Sequence, residues 1–327
     1  MTRRSPAGAQ SLALGPGPEF DRIRDIVRML GPEGSGLGDD CGLISARDGF
    51  LALSTDVSVE QVHFRLDWIQ LGEVGWRSTA AALSDLAAEG AEPAGVLAAV
   101  TMPAAAAQSE LLEVMSGVAA AAKSVGAPVL GGDLSSGPVW SLAITVIGQT
   151  PTPVTRGGAQ PGDHIWVTGA LGGSRAALEA WRRGGQPEPG SRERYAHPEP
   201  RIAAGRWLAR QGAHAMIDLS DGLAGDVGHV AAGSGVGLSI DLGLVPVAAE
   251  VAAEARRLGT TPQQFAAEGG EDFELLVVLA PQFDEAAEFA QASGIPLTRI
   301  GTVVKGSGVT FELAGRFLEL SGFNHFG

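Results

Sequence analysis

The sequence has one cysteine, Cys41, and two lysines, Lys123 and Lys305, among its 327 residues. One cysteine excludes an intramolecular disulfide and any zinc site built from several cysteines. The formal net charge of −14 argues against nucleic-acid binding, because such binding requires a concentrated basic surface. No apolar run approaches the roughly 20 residues of a membrane-spanning helix. We therefore expect a protein that binds neither nucleic acid nor membranes.

The N-terminal segment also lacks the apolar core of a signal peptide, because residues 11–14 are followed at once by Gly-Pro-Gly-Pro. Residues 1–18 are predicted to be a flexible tail of a cytoplasmic protein. The remaining length exceeds what one compact core usually holds. We predict an N-terminal domain at 19–148 and a C-terminal domain at 149–327, with a linker that begins at Gln149.

Apolar periodicity predicts a mixture of helices and strands along most of the chain. Helices are predicted at 19–30, 71–89, 108–125 and 201–210. Strands are predicted at 41–45, 50–57, 95–102, 139–147, 164–168, 238–241, 273–279 and 297–304. The segment 184–200 is rich in Gly, Pro and charge and is predicted to be a surface loop. This mixture indicates a layered α/β protein.

Aspartates recur in apolar surroundings. Small-residue turns beside apolar runs contain Asp39, Asp40, Asp56 and Asp133, an apolar helix contains Asp85, and the stretch Ile-Asp-Leu-Ser-Asp-Gly contains Asp218 and Asp221. Carboxylates rarely enter such surroundings unless their charge is compensated. One of them alone would be interpreted as a helix cap or turn former. A set of carboxylates suits Mg²⁺, particularly where substrate phosphates complete its coordination.

Two other segments partly match known phosphate-binding patterns. Lys123-Ser124 has Ala122 before it in an Ala-rich helix, so it does not fit a phosphate loop of the Gly-Lys-Ser type. The turn Gly169-Ala-Leu-Gly-Gly lies between a predicted strand and a helix, where either anion binding or tight helix packing would explain its glycines.

An acidic pocket repels a polyphosphate unless divalent cations reverse the local charge. Several Mg²⁺ ions would do so and would absorb charge during phosphoryl transfer. If the acceptor is itself a phosphate, its oxygen is already ionised near neutral pH, and no strong general base is needed.

A set of motifs resembles the thiamine-monophosphate kinase family over nearly the whole chain after about Phe20. These motifs are Gly38-Asp39-Asp40, Ser54-Thr55-Asp56, Val59-Glu60-Gln61-Val62-His63-Phe64, Leu83-Ser84-Asp85-Leu86-Ala87-Ala88-Glu89-Gly90-Ala91, Gly131-Gly132-Asp133, Asp218-Leu219-Ser220-Asp221-Gly222-Leu223 and Gly269-Gly270-Glu271-Asp272-Phe273-Glu274-Leu275-Leu276. Each motif is modest alone, but their joint order is specific.

The resemblance implies the PurM-like two-domain fold shared with aminoimidazole ribonucleotide synthetase. In that fold an N-terminal α/β domain forms a homodimer through its sheet, and a C-terminal α/β domain completes the site. The implied reaction is direct in-line transfer from ATP, the co-substrate, to thiamine monophosphate, giving thiamine diphosphate and ADP with several Mg²⁺ ions as cofactor.

The resemblance also implies a role for each matching residue. The metal ligands would be Asp40, Ser54, Thr55, Asp56, Asp85, Asp133, Asp218 and Asp221, and among these the catalytic centre would be Asp56, Asp85 and Asp218. The nucleotide contacts would be Gly132, Asp133, Arg156 and Ser220. The thiamine contacts would be His63, Glu271 and Phe323, because an aromatic face can stack on the flat or cationic ring and a carboxylate can accept from an exocyclic amine.

The sequence departs from the family pattern at a few positions. Leu134-Ser135 replaces a common Thr-Thr, which removes one expected hydroxyl contact to the nucleotide. Ala82 stands where Asn is common. Phe273 and Phe323 replace more usual Tyr or Trp, which keeps the stacking face without the polar group. None of these departures changes a predicted carboxylate ligand.

Alternatives come from the same superfamily and from a different class. Selenophosphate synthetase would need a reactive Cys or selenocysteine early in the chain, and the hydrogenase-maturation relative would need a C-terminal cysteine, whereas Cys41 is the only cysteine here. Aminoimidazole ribonucleotide synthetase stays open as an alternative, because it has the same fold. A non-catalytic acidic metal-binding protein also stays open, and it would show metal affinity without turnover of ATP.

Overall fold

The structure is a computed structural model that describes residues 12–34 and 36–323. Within these ranges, twelve β-strands form two sheets, and ten α-helices pack around them. The predicted mixed α/β architecture is confirmed. Among the described helices, none combines the length and apolar character needed to cross a membrane.

The first sheet has five strands in the order β1-β2-β5-β3-β4. Its strands are β1 (Gly42–Ala46), β2 (Gly49–Val59), β3 (Glu92–Pro103), β4 (Val129–Gly137) and β5 (Ser141–Thr150). Only the pairing of β3 with β4 is parallel in this sheet. Alternate residues of β5, including Ile144 and Val146, are buried, and this inner face packs against a long helix. The outer face is more exposed, as Ile44 and Val57 show.

The second sheet has seven strands in the order β12-β11-β8-β10-β6-β9-β7. Its strands are β6 (His164–Thr168), β7 (Ala215–Asp218), β8 (Gly237–Asp241), β9 (Leu275–Leu279), β10 (Leu297–Val304), β11 (Gly308–Leu313) and β12 (Arg316–Leu318). Strand β9, which pairs with β6 and with the edge strand β7, is buried along its whole length, which matches its continuous run of Leu and Val.

The helices are α1 (Pro18–Leu30), α2 (Leu71–Ala88), α3 (Gln108–Ser124), α4 (Gly173–Arg182), α5 (Pro189–Ala196), α6 (Ile202–Arg210), α7 (Leu223–Ser234), α8 (Val251–Arg257), α9 (Pro262–Ala267) and α10 (Ala286–Ser293). Helix α2 lies between the two halves of the molecule, where it contacts the first sheet, α3, α6 and β7. A helix covered on so many sides must be apolar almost all round, and most of its side chains are buried.

Glycine allows α2 to approach its neighbours closely. A Cβ added to Gly75 would lie 2.0 Å from the carbonyl oxygen of Val114 on α3. A Cβ added to Gly205 on α6 would lie 1.9 Å from the carbonyl oxygen of Ala87 on α2. Either distance is a severe clash, so the crossing of α2 with both helices requires glycine. The position of α2 therefore depends on backbone-to-backbone contact.

Most predicted elements match the structure within a few residues, and two predictions are wrong. Residues 189–196 form helix α5 instead of part of a surface loop, and Tyr195 within it is 1% exposed. Asp56 and Asp133 lie inside strands β2 and β4 instead of turns, and the segment of Asp133 pairs in parallel with β3. A Cβ on Gly132 would lie 1.8 Å from the carbonyl oxygen of Ala98, so glycine is needed for that pairing.

The predicted tail is only partly covered by the described residues, and the predicted domain boundary falls inside a strand. Residues 1–11 lie outside the described residues. The backbone N–H of Gly15, within the predicted tail, donates to Nδ1 of His229 at 3.2 Å. The predicted boundary after Gly148 falls two residues before the end of β5 at Thr150. The division into domains stays a prediction.

Candidate active site

Three aspartates from distant parts of the chain converge beside the inner face of the first sheet. Asp40, Asp85 and Asp218 each place one carboxylate oxygen within 4.8 Å of the others. Asp40 precedes β1, Asp85 lies on α2 and Asp218 ends β7. We call these three residues the aspartate cluster. Sequence reasoning predicted all three as metal ligands, and the fold brings them together.

The aspartate cluster is electrostatically unfavourable without a cation. Burial, followed by repulsion from Asp218 and Asp40, raises the pKa of Asp85 well above its usual value. Burial, followed by repulsion from Asp40, raises the pKa of Asp218 to about 7. The neighbouring Asp39 has its pKa raised to about 7, again first by burial and then by Asp40. Like charges at this spacing disfavour one another's ionised form, and a bound cation would reverse that effect.

Arg156 is the positive side chain at this end of the site. Its Nη2 lies 2.6 Å from Oδ1 of Asp40, and its backbone N–H donates to Oδ1 of Asp39 at 3.1 Å. Burial opposes its charge, but Asp40 and Asp39 outweigh that effect and raise its pKa. It was predicted as a nucleotide contact. In the described chain it borders the cavity and neutralises part of the aspartate charge.

Strand β2 carries three predicted metal ligands, and their side chains alternate between the two faces of the sheet. Ser54 and Asp56 share the inner face with the buried residues opposite them on β5. The hydroxyl of Ser54 donates to Oδ2 of Asp85 at 2.5 Å. Burial raises the pKa of Asp56. Thr55 has its hydroxyl 2.8 Å from that of Thr145, on the outer face.

Two predicted nucleotide residues lie away from this site in the single chain. Gly132 and Asp133 are on β4, and the register places Asp133 opposite Ala99, on the outer face. Three strand spacings separate Asp133 from β2, which is roughly 14 Å at the usual distance between strands. The lining of the cavity, as far as the described residues define it, does not include either residue. Their roles stay predictions.

An open cavity of about 1060 Å³ extends from the aspartate cluster across the two halves of the molecule. The predicted site residues that border it are Asp40, Thr55, Asp56, His63, Asp85, Arg156, Asp218, Ser220, Asp221, Glu271 and Phe323. Thr55 borders it although its hydroxyl contacts Thr145 on the outer face of the sheet. The set includes predicted metal, nucleotide and thiamine contacts. A cavity of this size lined by both carboxylates and aromatic side chains is large enough for a nucleotide and a second ligand.

The far part of the cavity contains the predicted thiamine contacts. Nδ1 of His63 accepts from the backbone N–H of Val59 at 3.0 Å. Glu271 is ion-paired with Arg77, and its side chain is 32% exposed. Phe323 is 54% exposed, and its backbone N–H donates to the carbonyl of Asp221 at 2.9 Å. A cationic heteroaromatic ring would meet a carboxylate and aromatic surface here.

The residues that follow Glu271 have a structural role. The carboxylate of Asp272 accepts from the backbone N–H of Gly172 at 2.6 Å and holds the N-terminus of α4. This contact, together with the clashes that a Cβ at Gly172 or Gly173 would make, favours tight helix packing as the explanation of the glycine-rich turn over an external anion site. Burial raises the pKa of Asp272 to about 7. The carboxylate of Glu274, which is completely buried, accepts from Nε and Nη2 of Arg201 at 2.9 and 2.7 Å.

The cavity-lining residues that sequence reasoning missed include Arg77, Tyr195 and Asp226. Arg77 could have been found, because a charged residue in the apolar helix α2 is the same signal that identified Asp85. Asp226 lies in the first turn of α7, and burial followed by repulsion from Asp221 raises its pKa well above the usual value. Tyr195 lies in the segment predicted to be a loop, where no pattern indicated burial.

The donor set fits Mg²⁺. All three members of the aspartate cluster offer hard carboxylate oxygens, which magnesium prefers, and substrate phosphates could complete the octahedron. The raised pKa values of Asp85 and Asp218 are the second indication, because they mark carboxylates that need a cation to stay ionised.

Comparisons with known proteins agree with this geometry. Residues 38–150 match the family model for the AIR synthase related protein N-terminal domain, and residues 160–314 match the C-terminal domain. The thiamine-monophosphate kinase of Rhodopirellula baltica is 35% identical over 304 residues, covering 89% of this chain and 90% of that protein. The Mycobacterium tuberculosis enzyme of the same name is 38% identical over 271 residues, 79% of each chain.

Solved structures give the same result. The structure of AaThiL complexed with AMPPCP and TMP has a TM-score of 0.85 and 31% identity, covering 95% of this chain and 97% of that one. Thiamine-monophosphate kinase from Stenotrophomonas maltophilia has a TM-score of 0.76 and 33% identity, covering 94% and 99%. The hydrogenase maturation protein HypE in complex with ATP, at 20% identity and a TM-score of 0.71, shows a shared fold alone.

Proposed function

We infer that this chain, which belongs to the thiamine-monophosphate kinase family, transfers the γ-phosphoryl group of ATP to thiamine monophosphate. The products are thiamine diphosphate and ADP. The observation that carries this conclusion is the convergence of Asp40, Asp85 and Asp218 at one end of a cavity whose far part contains His63 and Glu271.

We propose that the aspartate cluster, together with Ser54 and Asp56 of the inner face, holds Mg²⁺. When bound, magnesium supplies positive charge that offsets the charge of the phosphates. The chain's own residues orient the reactants. Arg156 lies beside Asp40, where a guanidinium fork can bind phosphate oxygens. Ser220 and Asp221 border the same cavity and are proposed as a nucleotide contact and a further metal ligand.

The acceptor determines which groups the site does not need. The phosphate of thiamine monophosphate is largely ionised at neutral pH, since its second pKa is about 6. Its oxygen can therefore attack without losing a proton to a protein base. Catalysis then depends on holding donor and acceptor in line and on screening their charges. We place the γ-phosphate at the end of the cavity that contains the aspartate cluster, where acidic side chains border it.

The direct test is to incubate purified protein with ATP, MgCl₂ and thiamine monophosphate and to measure thiamine diphosphate by chromatography. Product that depends on all three additions supports the proposal. Formation of aminoimidazole ribonucleotide from formylglycinamidine ribonucleotide, with no thiamine diphosphate, would assign the chain to the purine reaction. Magnesium binding without turnover of either substrate would make it a non-catalytic metal-binding protein.

We also propose that two copies dimerise through the outer face of the first sheet. That face carries exposed apolar side chains, including Ile44 and Val57, which are 56% and 44% exposed in the single chain. It also carries Thr55 and Asp133, the predicted ligands that face away from the chain's own aspartate cluster. A second copy packed on this face would bury the apolar side chains and could receive Asp133 into its site.

Light scattering of wild type and of Ile147→Glu, a central outer-face variant, tests the dimer. We expect a dimer for wild type and a monomer for the variant. Mixing Asp133→Asn with Asp218→Asn subunits tests the shared site, because a mixed dimer would contain one intact site. Recovery of about a quarter of wild-type activity follows from random pairing in a two-fold dimer. No recovery after verified exchange would contradict a shared site.

A cytoplasmic location completes the proposal, because ATP is the phosphoryl donor. Cell fractionation with a tagged chain tests it, and recovery in another fraction would contradict it.

A further inference from the structure

Arg77 is a buried cation at the middle of the cavity wall. It lies on α2, about two turns before Asp85, and its side chain is 5% exposed. A buried guanidinium is costly unless it is paired. Arg77 is ion-paired with the carboxylate of Glu271, and its Nη1 donates to the carbonyl oxygen of Tyr195 at 2.5 Å. Its Cζ also lies 3.8 Å from the centroid of the Tyr195 ring. The position of the guanidinium is thus fixed from three directions.

Glu271, the partner of Arg77, has an unusual backbone. Its φ is 64°, in the left-handed region that glycine favours, and its N–H donates to the carbonyl of Ser220 at 2.7 Å. Such a conformation is unfavourable for a non-glycine residue, so the surrounding contacts must maintain it. The side chain remains 32% exposed towards the cavity. A strained residue held in place by a buried cation indicates a carboxylate whose direction matters.

Tyr195 connects this pair to the other half of the molecule. Its hydroxyl donates to the backbone carbonyl of His63 at 2.9 Å, and the residue is 1% exposed. Its ring packs edge-on against Trp181, with centroids 5.1 Å apart. The same side chain therefore contacts Arg77 and the segment of His63. The two groups proposed to face the thiamine ring, Glu271 and His63, are linked through Arg77 and Tyr195.

We propose that Arg77 is a positioning residue for the thiamine end of the substrate. It holds the Glu271 carboxylate in the direction in which that group can accept from an exocyclic amine or lie beside the cationic ring. Tyr195 sets the distance between this carboxylate and His63. The proposal rests on the proposed function, since it names the residue that orients one substrate within that site. It predicts that loss of Arg77 weakens binding of thiamine monophosphate and not of ATP, because the Glu271 carboxylate lies away from the ATP end of the cavity.

A double-mutant cycle tests the proposal. Arg77→Met and Glu271→Gln are made singly and together, and KM is measured separately for thiamine monophosphate and for ATP. We expect Arg77→Met to raise KM for thiamine monophosphate about tenfold, with KM for ATP changed less than about twofold. Because Arg77 acts through Glu271, the double variant should bind thiamine monophosphate within about twofold of Glu271→Gln alone.

A matched control separates positioning from structural support. Arg192 makes a bidentate ion pair with Glu73 at 2.8 and 2.9 Å and also joins the two halves, but it does not border the cavity. Arg192→Met should leave both KM values unchanged. If it changes them as Arg77→Met does, or if Arg77→Met raises both KM values equally, Arg77 acts only by joining the halves and the proposal is wrong. Multiplicative effects in the cycle would also contradict it.

A second variant and a binding assay cover the cases in which Arg77→Met does not fold or turnover cannot be measured. Arg77→Lys retains the charge without the planar fork and replaces Arg77→Met in the cycle if that variant does not fold. Quenching of Trp68 and Trp181, which border the cavity, reports thiamine monophosphate binding without turnover. Wild-type protein that forms no thiamine diphosphate contradicts the proposed function. Wild-type protein that forms product while Arg77→Met binds thiamine monophosphate normally contradicts only the positioning role.

Discussion

The aspartate cluster and the segment Glu271–Glu274 are both acidic, but their carboxylates have different neighbours. In the cluster, Asp40, Asp85 and Asp218 repel one another, with Arg156 as the nearby cation. In the segment, each carboxylate has its own donor, such as the two nitrogens of Arg201 that contact Glu274. Removing one partner of a buried ion pair destabilises a fold, whereas removing one of several mutually repelling carboxylates relieves repulsion when no cation is bound. Without magnesium, removing a carboxylate should therefore leave stability unchanged or raise it at the aspartate cluster, and should lower stability in the segment Glu271–Glu274.

The largest effect is expected for Asp56→Asn, which removes one charge beside the aspartate cluster. Turnover should fall about 100-fold to 1000-fold, as for loss of one electrostatic group at a transition state. The melting temperature without magnesium should be unchanged or higher, because a repelled charge is gone. Steady-state kinetics and thermal unfolding measure both, with the exposed Asp48→Asn as control. Near-normal turnover would overturn the role of Asp56.

The opposite result is expected for Glu274→Gln. This change leaves Arg201 and the adjacent Arg194 without their buried partner and should lower the free energy of unfolding by about 3–5 kcal/mol. The matched control is Glu199→Gln, which removes the exposed partner of the same Arg201 and should cost less than about 1 kcal/mol. Urea unfolding compares them. Equal losses would show that burial of Glu274 does not determine its contribution.

A smaller effect concerns pH and magnesium. The pKa values of Asp39 and Asp218 are about 7 in the folded protein, against an ordinary 3.8. The folded state keeps protons that the unfolded state has lost, so metal-free stability should fall as pH rises from near 3.8 to about 7. Magnesium should restore about 2.7 kcal/mol at a concentration 100 times its dissociation constant above pH 7, and little near pH 5. Thermal unfolding at both pH values measures this difference.

That experiment also distinguishes the two regions, because Asp272 has a pKa of about 7 as well. Its carboxylate is held by Gly172 at the N-terminus of α4, and we expect no magnesium there. The pH dependence that remains at saturating magnesium should therefore become smaller in Asp272→Asn, by the share that this carboxylate contributes. If magnesium had no effect at high pH, the aspartate cluster would not be a magnesium site.

The smallest effect is expected for Glu89→Gln, a buried carboxylate outside both regions. Burial, followed by repulsion from Asp39 and Asp40, raises its pKa well above the usual value. The contribution of Glu89 to the stability of the protein therefore falls as pH rises from its ordinary pKa towards its pKa in the folded state. The variant should raise the melting temperature by about 2–4 °C at pH 8 and by less at pH 5, as a change of roughly 1 kcal/mol would. A lower melting temperature at pH 8 would contradict this reasoning.

Sequence reasoning predicted the aspartate cluster because a carboxylate in an apolar run is a local signal. Asp85 and Asp218 stand out in this way, and the fold brings them together with Asp40. The faces of Thr55 and Asp133 could not be predicted in the same way. They depend on strand register, and a shift of one residue exchanges the two faces of a sheet.

Two elements, β4 and α5, could not be predicted from the sequence because tertiary contacts determine them. Strand β4 contains three glycines and reads locally as a turn, but its parallel pairing with β3 determines its conformation. Helix α5 has no apolar periodicity, and it is held by the contacts of Tyr195 with Trp181 and Arg77. Such partners are distant in sequence, so no local pattern identifies these elements.

Helix α2 carries both Asp85 and Arg77, and its glycine crossings bring its backbone into direct contact with α3 and α6. A rigid displacement of this helix would move the two ends of the cavity in concert. If one substrate displaces the helix, it must alter affinity for the other, and by reciprocity the coupling must be equal in both directions. Evolution of a new acceptor specificity at the Arg77 end would consequently be constrained by the geometry required for ATP.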